Sequence, residues 1–235
     1  MYIDGKDVPI DELREIWRYG SQSHSADYGE APVYLKLLKT IRDINIGRPQ
    51  DKRIKVLGGD PPFNWDSIHT QQQYFKSLWQ RDLFAAGLAK KYGIDLNKKV
   101  LMIYGGAHYS KIQNEKRDST HWTIDHIINR IGSKKMVTIA ALSSQKNKLN
   151  NISLSINSIC WLPGKSELYQ TIKFQLEDGK AYPINEIYDA FYYIGPNDTW
   201  TKDSTKSIDK EYFKELDRRS RIVWGEGIDP KLLKD

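Results

Sequence analysis

The spacing of apolar residues predicts helices over 8–19 and 32–44, strands over 53–57 and 99–104, and a long helix over 70–92 between those strands. Val8-Pro9 suits the opening of the first helix, Asp11 and Glu12 suit its positive end, and Leu13, Ile16 and Trp17 form its apolar stripe. In the second helix Tyr34, Leu37, Leu38 and Ile41 share one face. In the long helix Tyr74, Leu78, Arg81, Ala85 and Leu88 follow one stripe, and Phe75, Trp79, Asp82 and Ala86 follow its neighbour. A cation and an acid thus occupy otherwise apolar stripes. Long charged side chains are rarely buried without partners, so Arg81 is expected to meet a carboxylate, with Asp60 the natural candidate.

The two strand-like runs are built alike. Lys55-Val-Leu-Gly-Gly-Asp60 and Lys99-Val-Leu-Met-Ile-Tyr-Gly-Gly-Ala-His108 each break at a glycine pair and deliver one ionisable residue. That is the pattern of a β-α-β unit, whose polar residues emerge at the C-terminal ends of adjacent parallel strands, where open α/β sheets place their ligands. Gly58 and Gly59 permit close backbone approach or a positive φ, and Pro61-Pro62 fixes the chain's exit, so Asp60 is stiffly held. Its plain reading is a turn cap or an ion-pair partner; its functional reading is a site carboxylate. His108 follows small residues that leave room for a ligand, and is read as functional rather than as a core or loop histidine. Arg81 is either half of a structural ion pair or an arginine that orients a catalytic carboxylate.

Other motifs add less. The glycine pair before His108 has neither the dinucleotide spacing nor the Gly-Lys-Ser/Thr ending of a phosphate loop. Ser110 lacks a nucleophile-elbow pattern. His24 reads as a solvated loop residue, and His121 and His126, in a helix over 120–131, are not spaced to share one face around a metal. Strands are expected over 136–142 and 188–194, polar loops over 143–151 and 197–207, and a charged helix over 210–221. Residues 152–175 are ambiguous, with a turn at Pro163-Gly164. No repeat or convincing linker divides the chain, so one α/β domain over 1–235 is expected, with an open, mainly parallel sheet flanked by helices.

Composition narrows the function classes. The 235 residues are 39% hydrophobic and 11% aromatic, enough for a full core. The net charge of +6 is carried by scattered Lys and Arg pairs, such as Lys52-Arg53, Lys116-Arg117 and Lys134-Lys135, rather than one basic strip, which argues against specific nucleic-acid binding. No apolar run approaches the roughly 20 residues of a membrane span. The lone Cys160 excludes an internal disulfide framework and reads as an inert, partly buried thiol. The first residues carry no secretory apolar region, which makes the cytoplasm the default compartment.

Taken together, Gly58-Gly-Asp-Pro-Pro-Phe-Asn-Trp65, Arg81-Asp82, Tyr104-Gly-Gly-Ala-His108, Asp189-Ala-Phe-Tyr-Tyr-Ile-Gly-Pro196 and Arg218-Arg219 resemble one group. They are similar to the erythromycin esterase-like, ChaN-like and TraB/Tiki superfamily, in its uncharacterised bacterial branch. The resemblance implies a parallel-sheet α/β fold. It departs from the family in one respect: an earlier strand ending in Gly-Glu-x-His has no counterpart, so the chain looks like the larger, C-terminal part of a family domain lacking its first strand. Family members include lactone-hydrolysing esterases with a water-activating histidine, metal-dependent peptidases and haem-binding proteins. The resemblance implies a hydrolase-like site for an ester, lactone or amide in a small molecule or peptide. His108 would be general base or acid, Asp60 would orient it or a metal, and Arg81 would steady Asp60 or an oxyanion, with Asp82, Trp65 and Tyr104 contacting substrate. The cofactor stays open between none, a divalent metal and haem. With one histidine and one glutamate of the family site absent, turnover is expected to be weak, and a binding module or an inactive fragment is the alternative.

Overall fold

The computed structural model describes residues 2–18, 20–21, 23, 32–111, 123–142, 158–161, 172–175, 180–194 and 208–232. Their contacts gather into two compact units: Met1–Arg81 with Lys202–Asp235, and Asp82–Thr201. Among the described residues no helix is long and apolar enough to cross a membrane.

The first unit is helical where it is regular. Helix α1 (Ile10–Arg18) buries Leu13 and Trp17 with Leu38 of α2 (Pro32–Ile46), and Tyr34 stacks on Trp17 at 5.7 Å. Ile16, expected in the same stripe, is 61% exposed; Leu13 and Trp17, four residues apart, carry the buried face alone. The helix expected over 70–92 is two helices. Thr70 and Gln73 form a capping box that starts α3 (Gln71–Leu78), and α4 (Arg81–Tyr92), which belongs to the second unit from Asp82 on, follows a turn at 79–80. Neither glycine nor proline marks this break. The Gln80 N–H bonds to the Ser77 carbonyl, tightening the end of α3, and α4 restarts with an acid in its first turn.

The C-terminal helix (Lys210–Trp224) packs on α3. Asp209 caps it by accepting the Tyr212 N–H at 2.9 Å, and Gly225 ends it at φ +80°, a conformation that favours glycine. Its Val223 joins Trp65, Ile68 and Tyr74 in one apolar cluster. Arg219, fully buried, donates to Glu215 at 2.6 Å and to the Arg18 carbonyl at 2.8 Å, and lies 4.8 Å over the Trp65 ring. A charge can be buried there because every direction it faces offers a partner.

The second unit holds the sheet. Five strands are described: β1 (Ile139–Leu142), β2 (Ser158–Trp161), β3 (Lys173–Gln175), β4 (Ala181–Pro183) and β5 (Ala190–Tyr193). β5 is central, parallel to β1 from Ile139↔Ala190 to Leu142↔Tyr193, and antiparallel to β2. β3 and β4 form a separate antiparallel pair. Phe191 and Tyr193 pack with Leu142, Ile172, Ile184 and Ile187, the last two from the single turn of helix Ile184–Ile187. Helix Thr123–Ile131, nine residues long, belongs to the same unit. The mixed α/β class thus holds.

The expected strands at 53–57 and 99–104 are not strands. A strand exists only through a partner ladder, and neither run has one among the described residues. Ile54 instead exchanges two bonds with the Asn45 side chain, donating its N–H at 2.8 Å and accepting the amide at 2.9 Å, a side-chain substitute for one rung. The apolar residues of the runs stay outside, Leu57 at 48%, Leu101 at 84% and Ile103 at 69% exposure. Gly58 has neither a positive φ nor a close neighbour, so the expected constraint at that position is absent.

Candidate active site

His108 lies in a short 3-10 turn, Gly106–Tyr109, held at both sides by the residues that lead into β5. Before it, the Tyr188 hydroxyl donates to the Gly106 carbonyl at 3.0 Å. A Cβ at Gly106 would sit 3.3 Å from that hydroxyl, so the close approach is eased by glycine. After it, the Lys111 N–H donates to the Ile187 carbonyl at 3.0 Å, and the Lys111 ammonium pairs with Asp189. Asp189 also accepts the Thr138 N–H at 2.7 Å and its hydroxyl at 3.1 Å. One carboxylate therefore fastens the end of the His108 turn to the entry of β1 as well as β5.

Within this unit the His108 ring meets Asp82. Nδ1 lies 2.6 Å from Asp82 Oδ1, and the same oxygen accepts the Thr123 N–H at 2.8 Å and the Thr123 hydroxyl at 2.5 Å. Thr123 opens a helix, so the carboxylate also sits where the helix offers unpaired N–H groups. Asp82 is 6% exposed. Burial acts to raise its carboxyl and is the largest influence, but the hydrogen bonds from His108 and Thr123 together outweigh it and hold the carboxyl below its ordinary value. An ionised, fixed acceptor facing Nδ1 orients the imidazole and favours the Nδ1–H tautomer, which leaves proton transfer to Nε2.

Two tyrosines flank the histidine. Tyr104 meets the His108 ring edge-on at 5.4 Å and the Tyr109 ring at 6.1 Å. The Tyr109 hydroxyl is buried with no hydrogen-bond partner among the described residues. Burial foremost, then the nearby Tyr104 and Asp82, pushes its phenol upward, so it stays a neutral donor at pH 7.

Asp60 and Arg81 belong to the other unit and form the expected pair, Arg81 Nη2 to Asp60 Oδ1 at 3.3 Å. Ser21 donates to the other Asp60 oxygen at 2.5 Å. Trp65, expected against substrate, is a core residue 5% exposed: its indole N–H donates to the Gly20 carbonyl at 2.9 Å, and Tyr74 and Arg219 cover its ring. The carboxylate on His108 is thus Asp82, expected as a substrate contact, rather than Asp60. The sequence signal for Asp82 was its place in an apolar stripe. Thr123 carried no signal, since it falls inside the helix expected over 120–131 and opens the observed one.

Among the described residues no group of three His, Cys, Asp or Glu is placed to hold a metal ion. His108 and Asp82 bind each other, which is the wrong division of labour for two ligands of one ion. Compared with known proteins, the chain matches no family model, no curated protein and no solved structure.

Proposed function

We propose that the unit around His108 is a hydrolase-like centre in which the imidazole activates water toward an ester, lactone or amide carbonyl of a small molecule or peptide. The observation that carries this is the 2.6 Å contact between His108 Nδ1 and a buried carboxylate that is itself fixed by Thr123. A histidine so oriented takes a proton at Nε2 and returns it to the leaving group, while Asp82 stabilises the imidazolium that forms between the two steps. Asp60 and Arg81 steady one another in the first unit.

The likeness to the esterase-like superfamily supports the same reaction class. Turnover is expected to be slow, because the described residues supply a base and its orienting acid without a strong electrophile.

The experiment is hydrolysis of activated esters and lactones by the purified chain, with His108→Ala beside it. A general base contributes about 10²-fold or more to rate. A slow reaction above buffer that falls to background in His108→Ala, with the circular dichroism unchanged, supports the proposal. A rate that is the same with and without the imidazole overturns it.

A further inference from the structure

Helix α2 carries more apolar surface than its own unit covers. Its inner face holds Leu38 and the half-buried Tyr34, which meet α1, and the buried Asn45, which donates to the Ile3 carbonyl at 3.0 Å. Beside that face runs a second stripe of Val33, Leu37, Thr40 and Ile44. Val33 is 63% exposed, and Leu37 and Ile44 are each 38% exposed. Thr40 is exposed too, but its hydroxyl donates to the Lys36 carbonyl one turn back, at 2.9 Å. Its polar atom is already satisfied within the helix, so a methyl is what Thr40 offers a neighbour.

The stripe steps by four, three and four residues, the alternation by which one helix packs along another. Its open flank carries Lys36 and Asp43, both exposed. Asp43 meets Lys39 at 2.7 Å, but both of those side chains are more than half exposed, so the pair is weak and easily exchanged. From behind, α2 is firmly held. Arg42 donates to the Tyr2 and Gly5 carbonyls at 2.9 Å each and pairs with Asp7 at 2.9 Å. The stripe therefore stands on a fixed helix and loses little freedom when covered.

We propose that this stripe is a self-association surface, joining two copies of the chain through antiparallel α2 helices about a two-fold axis. The register follows from the pattern. Antiparallel pairing faces Val33 with the partner's Ile44 and Leu37 with the partner's Thr40, and the symmetry repeats both contacts. The same register brings Lys36 beside the partner's Asp43, twice. Parallel pairing sets Lys36 beside the partner's Ile41 and leaves it without an acid. A base and an acid that match only against the reversed copy of their own helix point to a second copy of this chain as the occupant. Two helices of this length bury less than the standard interface of about 1,600 Å², so the dimer is reversible.

The test is sedimentation velocity of the full chain from about 5 to 500 µM, where a concentration-dependent monomer–dimer equilibrium is expected. Lys36→Glu and Asp43→Lys each bring like charges together and should weaken the dimer about 10-fold. Combined, they restore opposite charges and should recover the affinity. Thr40→Leu adds apolar surface at the centre of the contact and should tighten the dimer about 10-fold. All three positions are exposed, so circular dichroism and melting temperature should stay close to wild type, which separates lost association from lost fold. The proposal is overturned by a chain that stays monomeric over the whole range, by a dimer that both single charge changes leave unaffected, or by a combined variant no tighter than the single ones.

Discussion

Replacing Asp189 by alanine removes the fastening at the end of the His108 turn. The lost contacts are the two from Thr138, at 2.7 and 3.1 Å, and the ion pair with Lys111. The Asp189 side chain is 32% exposed, so water weakens each of these contacts. The two Thr138 bonds to a charged acceptor are together worth about 2 kcal/mol at this exposure, and the partly exposed pair adds about 0.5–1 kcal/mol. The sum, about 3 kcal/mol, corresponds to a melting temperature lower by about 6–12 °C for a chain of this size. Urea unfolding followed by circular dichroism reads it as a lower midpoint at unchanged slope. Asp189→Asn keeps an oxygen for the Thr138 N–H and should cost about half as much. A loss below about 0.5 kcal/mol in Asp189→Ala, the size of an ordinary surface change, would refute the reasoning.

In the other unit, Arg219→Met keeps volume but strips the Arg18 carbonyl and the Trp65 ring of their partner. Because Glu215 retains Arg218, the expected loss is about 2–3 kcal/mol, under the usual cost of breaking a buried pair, and a urea midpoint unchanged from wild type would contradict it. Acid should destabilise the whole chain. Burial is the leading influence on Asp82, Asp189, Asp209 and Glu215 and acts upward, yet the bonds each accepts hold its carboxyl below the ordinary value. Each therefore adds stability that is complete above the unfolded carboxyl value of about 4 and disappears as pH falls through the lower folded value. Melting temperature recorded from pH 7 to pH 2 should drop steeply below about pH 4, and a flat profile there would contradict it.

Much of the helical layout was legible because it follows local rules. Pro9 and the four-residue spacing of Leu13 and Trp17 act within one or two turns. The β1 and β5 segments were legible as short apolar runs. The runs at 53–57 and 99–104 have the same composition and no ladder, since a strand is fixed by what lies beside it and that information is not local. The break at 79–80 was hidden for a related reason: the residues there are good helix formers, and the bond from Gln80 to Ser77 is only one of several available ends. At the site, His108 was marked by its small neighbours and Asp82 by a charge in an apolar stripe. Their pairing, and the part of Thr123 in it, joins residues 26 and 41 positions apart, which spacing does not reveal.

The account rests most on the bond between His108 Nδ1 and Asp82. Long-range ¹H–¹⁵N correlation of the histidine rings, at a pH where the imidazole is neutral, reads that bond directly. The predicted spectrum has His108 as the Nδ1–H tautomer with a strongly downfield proton, and Asp82→Asn moves that proton upfield. A neutral His108 protonated at Nε2, or a spectrum that Asp82→Asn leaves unchanged, would contradict the account.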